Sequence, residues 1–286
     1  MVTVRDVLIG MQDRFCDAGL ETPELDARLL MQAALGMRHE DLILDGALSV
    51  TSEETEKLSA MTQRRLQHEP VSRILGTRAF WKSDFKVSPA TLDPRADSET
   101  LIEAVLDNVS RESPLTILDL GTGTGCLLLS LLQELPQATG TGIDISAEAV
   151  ETAKKNAESL HLLDRSLFME KDWKKLTPDT FFDVIISNPP YIAQSEIATL
   201  APEVREYDPI IALSGGVDGL GCYREIAALL PQLLSKTGTI FLEIGSTQAS
   251  SVKGILAGAG LAVLHILTDL AGHDRCLVAR WMKASD

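Results

Sequence analysis

The sequence predicts a two-part α/β chain: a small N-terminal helical bundle, a β-hairpin, and a doubly wound, Rossmann-like sheet of seven mostly parallel strands. Three observations predict it. From Ser98 onward, short runs of β-branched and apolar residues alternate with helical segments, the pattern of strands joined by crossover helices. The first of these strands runs straight into "DLGTGTG", placing glycines where a strand must turn sharply into a helix N-terminus. The residues up to 72 carry apolar side chains at helical spacing and no strand-like alternation.

Within residues 1–72, Val4, Val7, Leu8, Met11 and Phe15 fall on one helical face. "ETPELDARLLMQAALG" follows, with Thr22 placed to cap a helix, Pro23 at its first position and Gly36 to end it. "SVTSEETEKLSAMTQRRL" opens on Thr51 or Ser52 with acids in the first turn, a capping-box pattern. Residues 73–95 alternate aromatic and β-branched with polar side chains around "KSD", which reads as a hairpin linking two domains. The third part, residues 96–286, opens on the helix "SETLIEAVLDNV". Its strands are "LTILDL", "TGTGIDIS", "SLFMEKD", "FDVIISN", "GTIFLEIG", "LAVLHILTD" and "DRCLVARW". Only "LAGH" separates the last two, too short for a parallel crossover, so the final strand is expected to run antiparallel.

Composition narrows the function. The chain has 286 residues, 45% hydrophobic and 23% charged, as in ordinary globular proteins. Cys16, Cys126, Cys222 and Cys276 are far apart and form no C-x-x-C pair, which argues against a disulfide framework or a zinc site and fits a reducing, cytoplasmic setting. The first twenty residues carry charges throughout, unlike a signal peptide, and no apolar run approaches membrane-spanning length. No metal is expected, and a monomer is. A formal net charge of −15 disfavours a partner held through phosphates, so direct nucleic-acid binding is not expected.

The glycine loop gives the first chemical clue. Gly121, Gly123 and Gly125 are spaced G-x-G-x-G. The dinucleotide fingerprint would need a glycine at Cys126, and no G-K-[ST] is present for a P-loop. Asp144 ends the next strand about twenty residues on, where an acid either accepts hydrogen bonds from ribose hydroxyls or caps the following helix. Asp119, before the loop, either faces a ligand's ammonium or bonds the loop backbone. Asp172 and Trp173 end the third strand, where they either flank an adenine or pack as ordinary surface. Together these residues fit a nucleoside with an amino-acid tail, S-adenosylmethionine.

The second clue is "NPPY", residues 188–191, at the carboxyl end of the fourth strand, the edge where open α/β sheets bind ligands. Pro189 and Pro190 remove two N–H donors. The corner then offers the Asn188 side-chain carbonyl and the Pro189 backbone carbonyl as acceptors, with the Tyr191 ring beside them. Two acceptors gripping both N–H bonds of a planar –NH2 group can aim its nitrogen at a methyl sulfonium, and developing positive charge meets carbonyl dipoles and a π-face. No H-E-x-x-H or G-x-S-x-G motif competes. His273 reads as a turn residue and Glu243 as structural.

These residues resemble a known family. "DLGTGTG", "GIDIS", "KDW" and "SNPPYI" are similar to the motifs of amino-methylating class I methyltransferases. "PVSRILGTRAFWKSDFKVSPATLDPRADSETLIEA", "REYDPIIALSGGVDGLGCYREI" and "DLAGHDRCLVAR" resemble, more specifically, the release-factor glutamine methyltransferases (PrmC/HemK). The resemblance implies methylation of the amide nitrogen of the glutamine in the Gly-Gly-Gln loop of class 1 peptide chain release factors. It implies that Gly121, Thr122, Gly123, Thr124, Gly125, Asp144 and Trp173 contact S-adenosylmethionine; Asp119, Asp172 and Asn188 are further cofactor-binding candidates. It further implies that Asn188, Pro189, Pro190 and Tyr191 hold the glutamine amide, that Arg95 and Glu99 lie near the cofactor and active site, and that the helical domain helps grip the release factor. The chain departs from the family pattern at Asp93, Ala96 and Lys171. An exocyclic-amine methyltransferase of adenine or guanine shares the loop and the corner and is the alternative enzyme. A nucleoside-binding module without turnover is the alternative that is not an enzyme.

Overall fold

A computed structural model describes residues 2–176 and 181–282. The last four residues assigned to the third part lie outside this set. By contact the chain divides into two compact units, residues 1–77 with 201–207, and residues 78–200 with 208–286.

The helical unit contains α1 (Val4–Asp17), α2 (Pro23–Leu35), α3 (His39–Leu44), α4 (Ser52–Leu66) and α5 (Val71–Leu75). Their starts follow the local chemistry. Thr51 caps α4 by accepting from the Glu54 N–H, and the Glu54 carboxylate accepts from the Thr51 N–H in return, a complete capping box. Thr3 and Asp6 do the same for α1. Pro23 opens α2 and Gly36 ends it at φ 67°; Thr22, at the cap position, bonds Asp26 instead of the helix backbone. α5 extends past residue 72 to Leu75 and stops at Gly76, φ 74°, so "RIL" is a helical turn and not the start of the hairpin. Phe15, Leu30, Met31 and Leu58 form the core of this unit. Beside it, Arg65 Nε meets buried Asp26 at 2.7 Å. A four-residue helix, α9 (Pro202–Arg205), belongs to this unit, and Glu203 accepts from Arg65 at 3.2 Å.

A hairpin follows, β1 (Thr77–Phe80) and β2 (Ser83–Lys86), which from Arg78 onward belongs to the second unit. It is more than a linker: Phe80 and Phe85 are buried in this unit's core with ring centroids 6.1 Å apart, and the Trp81 indole donates to Glu134 at 2.9 Å. The chain continues through α6 (Glu99–Asn108), β3 (Thr116–Leu120), α7 (Cys126–Glu134), β4 (Thr139–Asp144), α8 (Ala147–Ser159), β5 (Ser166–Glu170) and β6 (Phe182–Ser187). After the helical excursion come α10 (Ile210–Leu213), α11 (Gly221–Leu233), β7 (Leu234–Glu243), α12 (Ala249–Gly258), β8 (Leu261–Thr268) and β9 (Asp274–Trp281).

Seven strands form one sheet in the order β5-β4-β3-β6-β7-β9-β8, parallel except for β9. The central strands are apolar on both sides because both sides are covered. Val184 and Ile186 of β6 join the core under α6, α7 and α8, while Ile185 between them joins the core under α11 and α12. β3 and β7 split in the same way, Ile117 and Phe241 to the first face, Leu118 and Ile240 to the second. The chain runs outward from β3 to β5, then returns to β6 on the other side of β3. A crevice therefore opens at the carboxyl ends of β3 and β6, where the direction of winding reverses. Among the described residues no helix is long and apolar enough to cross a membrane.

Candidate active site

A cavity of about 390 Å³ occupies this crevice. One wall is the loop after β3. Gly121, Gly123 and Gly125 all have positive φ (77°, 54° and 77°), and a Cβ on Gly121 would stand 3.4 Å from the Trp173 ring. Gly121, Thr122, Gly123 and Thr124 line the cavity. Gly125 does not. It caps α7 and is packed against Ala153 and Leu129, so its role is to bring helix and sheet together.

Asp144 sits at the tip of β4 on the cavity wall. Its carboxylate accepts from the Gly123 N–H and the Ser146 N–H, both at 2.9 Å, and so ties the glycine loop to the start of α8. The cap of α8 is Ser146, which resolves that alternative. Each carboxylate oxygen retains acceptor capacity for a further hydrogen bond. Burial raises the Asp144 pKa, while the N–H groups of Ser146, Gly123 and Ile145 oppose the rise.

Asp119 lies behind the loop and off the cavity wall. One oxygen accepts from the Thr122 hydroxyl at 2.6 Å and the other has no partner among the described residues; burial pushes the group up to about 7. Asp119 thus braces the loop through the Thr122 side chain. Trp173 and Asp172 do line the cavity. The indole is held by Glu225 of α11, to which Nε1 donates at 3.0 Å, and Asp172 accepts from the Lys174 N–H. Lys171 joins the same wall.

The opposite wall carries Asn188 and Pro190. Asn188 follows the last residue of β6, and its Nδ2 donates to the Ser98 hydroxyl at 3.2 Å. Pro189 is buried and Tyr191 lies mostly buried beneath the corner, and neither is a cavity-lining residue. Burial pushes the Tyr191 hydroxyl up to about 12. Arg95 lines the cavity and bonds buried Asp208 at 2.5 Å. Glu99 turns away, accepting from the Trp81 N–H of the hairpin at 2.8 Å. The helical register explains the difference: Ser98, one residue earlier, faces the cavity instead.

Two residues that brace the corner, Gln248 and Gly215, carry no motif. Gln248, in the turn after β7, donates from Nε2 to the Tyr191 carbonyl (2.9 Å) and the Gly219 carbonyl (3.3 Å). Its Oε1 accepts from the Gly245 N–H and the Tyr223 hydroxyl. One side-chain amide thus joins the NPPY corner, the loop before α11 and the end of β7. Gly215 closes the same knot, since a Cβ there would meet the Gly219 carbonyl at 2.6 Å and the Pro190 carbonyl at 2.8 Å. A Gln three residues after a strand-end glycine is the only sequence signal, and it has no meaning until the fold brings the partners together.

The residues fit S-adenosylmethionine. The cavity volume suits a ligand of that size, the glycine loop lets the backbone approach closely, and Asp144 offers spare acceptors beside an indole face.

The sheet order, the glycine turn after its first strand, the acid at the tip of the second and the amide corner at the winding switch define a methyltransferase of the doubly wound class. The methyltransferase small domain family matches residues 90–204, and the PrmC N-terminal domain family matches residues 6–76. The chain is 48% identical over 266 residues to a release factor glutamine methyltransferase of Rhodospirillum rubrum, covering 92% of this chain and 80% of that protein. It is 44% identical to the protein of that name from Agrobacterium fabrum, covering 97% of each, and 38% identical to that from Caulobacter vibrioides, covering 93% and 92%. The chain belongs to the release factor glutamine methyltransferase family.

Proposed function

We propose that this protein methylates the side-chain amide nitrogen, N5, of the glutamine in the Gly-Gly-Gln motif of class 1 peptide chain release factors. Family membership supports the substrate, and one observation carries the chemistry. Asn188 stands on the cavity wall with its NH2 group engaged by Ser98, which leaves its carbonyl oxygen as the free acceptor. S-adenosylmethionine, when bound, supplies an electrophilic methyl group on a sulfonium and leaves as S-adenosylhomocysteine.

The residues of the chain do the positioning. Gly121, Thr122, Gly123, Asp144, Asp172 and Trp173 hold the cofactor, and Asn188 accepts from the substrate amide. An amide nitrogen is a weak nucleophile because its lone pair is delocalised. Two fixed acceptors on its N–H bonds favour pyramidalisation and stabilise the charge that develops there. Family resemblance makes the Pro189 backbone carbonyl the second acceptor, although the residue itself is buried off the cavity wall, and Tyr191 backs the corner from beneath. Transfer of the methyl group to the nitrogen would release S-adenosylhomocysteine, and the surplus proton on the nitrogen would pass to water. The helical unit, with its match to the PrmC N-terminal domain family, helps grip the release factor. The four free thiols suit a reducing cytoplasm.

Incubating the protein with S-adenosylmethionine and a purified class 1 release factor, followed by peptide mass spectrometry, tests this reading. A single methyl group on the Gly-Gly-Gln glutamine is expected. Methyl transfer to a duplex oligonucleotide with none to the release factor would overturn it.

A further inference from the structure

Glu243, the last residue of β7, is next to Asn188 through the pairing of β6 with β7 and is not on the cavity wall. It is 2% exposed, and Oε2 has no hydrogen-bond partner among the described residues. Asn188 Nδ2 donates to Ser98 Oγ at 3.2 Å, and the Ser98 hydroxyl and the Asn188 amide are both close enough to favour the ionised form of Glu243. We propose that Ser98 and Glu243 form a directional relay that fixes which end of the Asn188 amide faces the cavity. Both are positioning residues, acting on substrate through Asn188. The inference rests on the reading above, in which the Asn188 carbonyl accepts from the substrate amide.

An ionised carboxylate only accepts. Ser98 must then turn its O–H toward Glu243, and its remaining lone pair accepts from Asn188. With its N–H bonds drawn to Ser98 and Glu243, the amide presents Oδ1 to the cavity. Protonation of Glu243 reverses the logic. The carboxylic acid can donate, the Asn188 oxygen becomes a favourable partner for it, and the flipped amide offers the substrate –NH2 group another –NH2. Among the charged neighbours of Glu243, Arg275 of β9 favours the carboxylate and Asp97, before α6, disfavours it. Tyr191, Tyr223, Cys126 and Cys276 also face it, and burial holds all four in their neutral forms near neutral pH. Burial outweighs these neighbours and pushes Glu243 up to about 7, so the switch falls in an accessible pH range. Asp119 is pushed to the same range, so a substitution at Glu243 is needed to separate the two.

The test has two arms. In 15N-labelled protein, the Asn188 side-chain NH2 signal is expected to titrate with a midpoint near 7 and to lose that titration in Glu243→Gln. This arm needs no substrate, so it reads the relay even if release-factor methylation fails. In turnover, wild-type kcat is expected to fall as pH drops through about 7. Glu243→Gln flattens that limb, and Ser98→Ala lowers kcat at pH 8 by about tenfold, the factor for one misdirected hydrogen bond. Ser98→Thr, which keeps the hydroxyl, restores it. An Asn188 signal that does not titrate, or titrates identically in Glu243→Gln, overturns the relay. So does a Ser98→Ala enzyme with wild-type kcat, whereas methylation absent from the wild type overturns the reading of function instead.

Discussion

Asn188 carries the proposed chemistry, and the expected outcome of its loss is specific. Asn188→Ala removes an acceptor aimed at the reacting nitrogen, so kcat should fall by about 10²-fold or more, the usual effect of deleting one preorganised polar group. The affinity for S-adenosylhomocysteine, measured by calorimetry, should hardly change, because Asp144 and the glycine loop are on the other wall. Asp144→Ala should show the converse. It frees the Gly123 and Ser146 N–H groups and removes the spare acceptors, so the KM for S-adenosylmethionine should rise about tenfold while kcat falls less. Asn188 and Asp144 were legible in the sequence because each lies at the end of a strand-like run and next to an unusual turn. Glu243 lies at such an end too and read as structural. Its strand ends in an ordinary glycine, and what distinguishes it, burial beside Asn188, comes from the pairing of β6 with β7.

At the scale of elements, the sequence predicted most accurately where local chemistry decides. The capping box of Thr51, Pro23 at the start of α2 and the short turn that forces β9 antiparallel are all fixed by neighbours a few residues away. The Gln248 knot depends on residues 29 and 57 positions distant and left no local trace. Glu99 was misplaced for the related reason that a one-residue step around a helix turns a side chain from cavity to hairpin. Two predictions belong here. Thr51→Ala should destabilise the helical unit by about 1 kcal/mol, read as an earlier loss of far-UV circular dichroism in urea. Gln248→Leu leaves the Tyr191 carbonyl and Gly245 N–H without their partner, a loss of about 1–3 kcal/mol in the sheet unit. Because the same bonds hold the NPPY corner, kcat should fall further than the stability loss explains at temperatures where the protein remains folded.

At the scale of the whole molecule, Trp81, Trp173 and Trp281 all belong to the sheet unit, so their fluorescence follows that unit alone. Its buried acids make its stability fall with rising pH. Asp119 and Glu243 are both pushed up to about 7 by burial, above their unfolded values. Between about pH 4 and pH 7 the folded unit therefore keeps protons that the unfolded chain has released. Stability is fully supported below that window, declines through it and levels off above pH 7. A net charge of −15 works in the same direction, since ionisation adds to self-repulsion in the compact state. Urea titrations followed by tryptophan fluorescence should give a higher midpoint at pH 5.5 than at pH 8. Glu243→Gln keeps the shape of the side chain and removes its charge, so it should narrow that gap and recover on the order of 1–3 kcal/mol at pH 8. An unchanged gap in Glu243→Gln would mean that Glu243 titrates near its ordinary value. The same protein that loses the acidic limb of turnover should thus become more stable at alkaline pH, because one buried carboxylate both orients Asn188 and opposes folding when ionised.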